Sequence, residues 1–164
     1  MRYRRERHHR KRKGRSLHGE AELLGMTGEP FEMLVEVGRV RQFARAVKSS
    51  NPAYFEGWEP LSSPTFLASS SFWSDPKNSP MLRAGLSLER VLNGAQEFTF
   101  HGPPPRAGTR LYVQWRVDKA YVKQGKRGGT MSFMEVVFEF RSASGELLAE
   151  QRSTVIETAN AVGE

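Results

Sequence analysis

Few residues in this chain can move protons at neutral pH, and their number decides most of the chemistry open to it. Three of the four histidines, His8, His9 and His18, fall in the first 18 residues, so only His101 lies in the body. A Ser/His/Asp triad would have to be assembled around that residue. It opens the run His101-Gly102-Pro103-Pro104-Pro105, which reads as a loop after a strand, where a lone histidine fits a structural or surface role better than a catalytic one. Cysteine is absent, which removes thiolate nucleophiles, disulfides and thiolate metal sites and makes the cytosol the expected compartment. No carboxylate pair has ligand spacing either, so neither a metal nor a cofactor is expected. The stretch Gly125-Lys126-Arg127-Gly128-Gly129-Thr130 lacks the Lys-Ser/Thr pair at a helix start that a phosphate loop requires. Strand-like flanks make it a hairpin, with Lys123, Lys126 and Arg127 offering charge to a ligand's phosphates at its edge.

Charge narrows the partners. The chain of 164 residues carries +7, yet residues 1–15 hold nine of its 25 Lys and Arg against Glu6 alone, which leaves the rest at −1. A partner rich in phosphate is therefore an argument about the tail only, residues 1–20, which lack the apolar content to fold. The tail reads as a solvated extension more simply than as an arm for nucleic acid or anionic lipid. Leu23, Leu24 and Met26 are too interrupted for a secretory signal, and no run is apolar enough to span a membrane. Residues 21–164 read as one domain.

The elements that must position any site follow from periodicity. Phe31, Met33, Val35 and Val37 alternate with Glu32 and Glu36, as a strand does. Val40, Phe43, Ala44 and Val47 then recur at helical spacing, and a helix ending near Ser49 is stopped by Asn51-Pro52. A second helix is predicted over residues 65–73, capped by Ser62 or Ser63 with Pro64 in its first turn, and its small residues Ala68, Ser69, Ser70 and Ser71 would let a sheet approach closely. Strands are predicted at residues 96–101, at 111–118, from Met131 to Phe140 with a bulge or a doubly covered stretch, and at 147–155. The class is α+β, with helices on one face of an antiparallel sheet.

The segment Ser49-Ser50-Asn51-Pro52-Ala53-Tyr54 resembles the signature of the MaoC-like, or (3R)-specific, hydratase and dehydratase family, Asp-x-Asn-Pro-aliphatic-His after a short helix. Asn51-Pro52 matches, Ser49 stands at the catalytic Asp position and Tyr54 at the catalytic His position. Pro64-Thr65-Phe66, Gln96-Glu97-Phe98, His101 to Pro105, Arg106-Ala107-Gly108 and Ser144-Gly145-Glu146-Leu147 resemble the N-terminal dehydratase-like half of the family in order and spacing. Thr109 departs from it, standing where Asp usually follows Ala-Gly. Over residues 31–158 the succession is most similar to the non-catalytic, substrate-holding subunit of the mycolic-acid-pathway (3R)-hydroxyacyl-ACP dehydratase.

This resemblance implies a hot-dog fold, in which a sheet wraps a central helix and acyl thioesters bind between two such units. It also implies an acyl-CoA or acyl-ACP ligand and a heterodimer with a catalytic hot-dog subunit, or a homodimer. In the family the Asp and His share the proton work. A serine hydroxyl is no base at neutral pH, and a phenol is a far weaker base than imidazole, so no catalytic residue is assigned. The implied substrate-binding residues are Asn51, Tyr54, Phe55, Thr65, Phe66, Leu67 and Phe72, the apolar ones lining an acyl channel. Two other readings stay open: a self-sufficient homodimeric hydratase or thioesterase using Tyr54, His101 or Glu56, and a module whose basic tail binds nucleic acid or membrane.

Overall fold

A computed structural model describes residues 20–125 and 129–159. The basic tail up to residue 19, with His8 and His9, and the Lys126-Arg127-Gly128 tip of the predicted hairpin lie outside the described residues. After a single helical turn, α1 (Glu20–Leu23), comes strand β1 (Phe31–Leu34), then helix α2 (Val37–Ala46). β1 is shorter than its alternation suggests. Val35 still exchanges backbone hydrogen bonds with Thr109 and Gly108, but Val37 already belongs to the helix, whose first bond runs from Val40 N to Glu36 O.

The end of α2 sets the course of the next loop. Lys48 adopts φ +55°, the left-handed conformation that usually falls to glycine. Ser49 N then donates to Ala44 O and Lys48 N to Arg45 O, which satisfies two carbonyls the helix leaves open. The helix therefore stops at Ala46, short of Ser49, and Val47 is half exposed.

The predicted second helix is a 3-10 helix, Phe66–Trp73. Three consecutive serines are weak α-formers because their hydroxyls compete for backbone groups, and Ser69 Oγ does so by donating to Phe66 O at 2.6 Å. The expected cap is not made. Ser62 and Ser63 hydroxyls are buried without a partner among the described residues, and it is the backbone carbonyl of Ser63 that accepts from Phe66 N. Leu67, Ser70 and half-buried Trp73 recur every three residues and form the inward edge. Short turns at Pro76–Asn78 and in α3 (Pro80–Arg83) lead into the remaining strands.

Those strands are β2 (Val91–Phe100), β3 (Arg110–Gln124), β4 (Thr130–Arg141) and β5 (Leu147–Glu157), in the spatial order β1-β3-β4-β5-β2 and antiparallel throughout. β2 begins five residues earlier than predicted. Gly94 hides its start, since a bulge lies between Asn93 and Ala95 and a Cβ on Gly94 would come within 2.6 Å of Ile156. On the concave face Leu111, Val113, Trp115 and Val117 alternate inward and pack against Met134, Val136 and Phe140. Each large apolar side chain so buried contributes about 1.5–3 kcal/mol.

Of the two alternatives predicted for β4, a bulge or a doubly covered stretch, the strand shows the second, with adjacent Val136 and Val137 both buried, while the bulge sits in β3, between Val117 and Lys119. Phe133 occupies the convex face of an unbroken β4, stacked on Tyr121 at 5.0 Å. Asp118, the extra residue, holds Arg116 and Arg152 at 2.5 Å each. Hydrogen bonds from Arg152 first, then Arg116, hold its carboxyl below the usual aspartate range.

Candidate functional site

The loop after α2 keeps the turn that its sequence suggests, and each of its bonds can be named. Ser49 Oγ accepts from Asn51 N at 3.3 Å, and Asn51 Oδ1 accepts from Ala53 N at 3.0 Å. Asn51 thereby caps a single 3-10 turn, Pro52–Tyr54, in which Pro52 takes the first position. Arg41 of α2 clamps the residues beyond the turn, with Nε donating to Phe55 O at 3.0 Å and a second guanidinium nitrogen to Gly57 O at 2.7 Å. Arg45 lies 5.9 Å over the Phe55 ring. At the far end, Leu61 N bonds Ala53 O, Ser62 N bonds Pro105 O and Ala107 N bonds Pro60 O.

Proton-transfer chemistry is sparse around this turn. The Ser49 oxygen accepts a hydrogen bond from the Asn51 amide. His101 is a surface residue whose ring faces Glu150 at 3.4 Å, on the loop after β2 where the sequence places it.

The structure gathers only some of the expected binding residues. Asn51, Tyr54 and Phe55 share the one loop, Asn51 exposed and the two rings half-buried. Thr65 is exposed ahead of the 3-10 helix. Phe66 and Leu67 are 1% and 0% exposed and belong to the core, Phe66 edge-on to Phe43 at 5.6 Å, whereas Phe72 is 75% exposed with Arg39 6.0 Å over its ring. These side chains do not line one channel together.

An apolar cavity of about 320 Å³ lies elsewhere, between a strap formed by residues 71–81 and the concave face of β2, β4 and β5. Met81, Val91, Trp115, Val136, Phe138 and Val155 supply its apolar wall, and none of the seven expected binding residues touches it. The strap is bolted down by buried Asn78. Its Oδ1 accepts from Glu29 N and its Nδ2 donates to Glu29 O, both at 2.8 Å, and Nδ2 also reaches Ser74 Oγ at 3.2 Å. Trp115 Nε1 donates to Asn78 O at 2.8 Å. Gly28 permits this closeness, because a Cβ there would fall 2.1 Å from Trp115 Nε1.

Sequence reasoning missed this cavity and the polar residues that the sheet contributes to it, Asn93, Gln96, Gln151 and Ser153. The available signal was the polar Gln151-x-Ser153 interrupting the inward parity set by Ala149 and Val155. Their convergence depends on β2 pairing with β5, which aligns Gln96 with Ser153 and Asn93 with Val155.

Comparison with known proteins agrees with this architecture. A family described as FAS1-like, dehydratase domain region, matches residues 22–151. The chain is 31% identical over 133 residues to a UPF0336 protein of Parafrankia sp., covering 74% of this chain and 83% of the relative. It is 30% identical over 131 residues to a UPF0336 protein of Saccharopolyspora erythraea, covering 74% and 80%. Among solved structures, the C-terminally truncated HadBC (3R-hydroxyacyl-ACP dehydratase) complex of Mycobacterium tuberculosis superimposes with a TM-score of 0.67 at 20% identity, over 84% of this chain and 98% of that one. The ChsH1-ChsH2 complex of the same organism gives 0.65 at 16% identity over 84% and 86%. A MaoC-like dehydratase of Rhodospirillum rubrum gives 0.57 at 16% identity over 90% and 100%. The fold is thus the α+β hot-dog fold of MaoC-like dehydratases.

Proposed function

The chain belongs to the FAS1-like dehydratase-region family, and from that premise we propose that it is an acyl-thioester-binding subunit of a (3R)-3-hydroxyacyl-CoA or -ACP dehydratase, non-catalytic alone, acting beside a catalytic hot-dog partner. One observation carries this reading. The Asn51-Pro52 turn is intact in its backbone, while the two positions that would move protons hold Ser49, whose hydroxyl accepts from an amide, and Tyr54.

Removing water from a 3-hydroxyacyl thioester takes a base for the C2 proton and an acid for the departing hydroxyl. In the proposed assembly both come from the partner, whose own Asp-x-Asn-Pro-x-His turn completes the site. Two features support a two-chain arrangement. The neighbours HadBC and ChsH1-ChsH2 are complexes, and the ten-residue strand β2 stands at the sheet edge, bonded among the described residues to β5 on one side only. Such an edge offers a row of backbone groups to a second strand.

In this reading Asn51, Tyr54, Phe55 and Thr65 contact the thioester end, and Phe72 offers its exposed ring to ligand or partner. Phe66 and Leu67 act from behind by fixing the 3-10 helix. The acyl chain lies in the cavity under the 71–81 strap.

Steady-state hydration of crotonyl-CoA and longer enoyl-CoAs tests the proposal. The isolated chain is expected to turn over negligibly, with turnover gained only on mixing with an intact Asp-x-Asn-Pro-x-His hot-dog protein. Robust turnover by the chain alone, lost in Tyr54→Phe or His101→Ala, would overturn it.

A further inference from the structure

A plain hydrocarbon chain would leave one polar group of the cavity unsatisfied. Gln151 on β5 pairs with Phe138 of β4 on one side and Phe98 of β2 on the other, so an amide stands in a row of rings. It is only 6% exposed. Its Nε2 donates to Ser153 Oγ at 3.2 Å, while its buried Oε1 has no donor among the described residues. Turning the amide end for end would move the deficit from an acceptor to a donor without removing it.

The groups beside it extend the same chemistry toward the β2 edge. Ser153 is paired across the strands with Gln96, and Asn93 Nδ2 donates to Gln96 Oε1 at 3.3 Å. All four are uncharged. The acid in the wall, Asp75, is already used by its own turn, where Oδ1 accepts from Lys77 N at 2.8 Å. A buried polar group without a partner disfavours an occupant that cannot hydrogen-bond and favours one that can.

We propose that the cavity takes an apolar chain bearing one uncharged hydrogen-bonding group, which docks on Gln151. A hydroxyl suits either amide orientation because it both donates and accepts. The group has two sources, a hydroxyl on the acyl chain or an amide of the carrier's pantetheine arm. This deepens the acyl-binding reading above and rests on it.

Calorimetric titration of the full-length protein separates the cases, using octanoyl-CoA, analogues hydroxylated at single carbons beyond C3, and pantetheine. The variants are Gln151→Leu and Gln151→Met, with folding checked by circular dichroism. A chain hydroxyl predicts that one hydroxylated thioester binds wild type about two- to tenfold more tightly than octanoyl-CoA. Both variants should erase that preference while binding octanoyl-CoA at least as well as wild type. A carrier amide predicts instead that both variants weaken pantetheine and every thioester together, which also supports docking on Gln151. Equal binding of all probes by wild type and both variants would overturn the proposal and leave the acyl-binding reading standing. Failure of every probe to bind folded wild type would overturn that reading as well.

Discussion

Replacing Asn78 by alanine should loosen the strap that covers the cavity, and the size of the effect is set by the bonds its side chain makes. Asn78 is 8% exposed and makes three side-chain hydrogen bonds, two to the backbone of Glu29 and one to Ser74 Oγ. At about 0.5–1.5 kcal/mol net for each, the sum is roughly 1.5–4.5 kcal/mol. Glu29 is exposed, so water replaces part of what its backbone groups lose, and the expected destabilisation is about 2–3 kcal/mol. For a chain of this length that corresponds to a fall in Tm of roughly 5–10 °C. Urea and thermal melts followed by tryptophan fluorescence measure it, with Trp115, whose Nε1 bonds Asn78 O, among the three tryptophans that report. Asn78→Asp divides the effect: it keeps an acceptor for Glu29 N but sets a carboxylate against Glu29 O, and should be at least as destabilising as alanine. An alanine variant within about 0.5 kcal/mol of wild type, or an aspartate variant as stable as wild type, would refute the bolt.

Two further outcomes are expected. Because the Asn51-Pro52 turn is intact, Ser49→Asp with Tyr54→His should create measurable enoyl-CoA hydration, toward the roughly 10²–10⁴-fold that positioned acid–base groups typically supply. Either single change should do little, and a folded, acyl-CoA-binding double mutant without any gain would separate this turn from the family's catalytic geometry. Asp118 has its carboxyl held below the usual range in the fold, so its contribution is complete above the unfolded-state value of about 3.9 and is lost as pH falls through the folded value. The stability gap between wild type and Asp118→Asn, from urea melts at about pH 7, 4 and 2.5, should therefore shrink toward the acid end, and a constant gap would count against the Arg152–Asp118–Arg116 bridge.

What the sequence reveals of this molecule divides along the range of the interactions involved. β3 is legible because Leu111, Val113, Trp115 and Val117 must all face the same side of the sheet, and a period of two is written within a single short stretch. α2 is legible for the same local reason, although its end depends on Lys48 accepting a left-handed backbone, which lysine does not advertise. The 3-10 helix looks like an α-helix because its apolar ends dominate the pattern. Its serines decide otherwise through a hydroxyl-to-carbonyl bond one turn back. The bulge falls on the other partner of the β3–β4 pair, since a shift in parity does not say which strand carries the extra residue. The cavity is out of reach for a different reason. Its wall joins residues 91–96 to residues 151–155 under a strap whose prolines, Pro76 and Pro80, read only as chain breaks.

The presence of Asn51-Pro52 without the proton-transfer pair has a mechanical cause. Asn51 caps the Pro52–Tyr54 turn, Ser49 supports Asn51, and Arg41 fastens the carbonyls beyond them to α2. Loss of such a cap costs about 1 kcal/mol, enough to favour the asparagine whether or not chemistry takes place there. The motif is thus explained by the loop it builds, and it does not by itself say that a ligand touches it. Gln151 is the opposite case. A leucine in its place would continue the row from Trp115 through Phe138 to Phe98 and would relieve a buried oxygen without a donor, so the fold gains from the amide only the bond from Nε2 to Ser153 Oγ, against that unmatched oxygen. A residue that the fold explains is weak testimony to binding, and one that the fold would be better without is stronger. On that ground the cavity wall, rather than the motif-bearing loop, is where acyl recognition should first be sought.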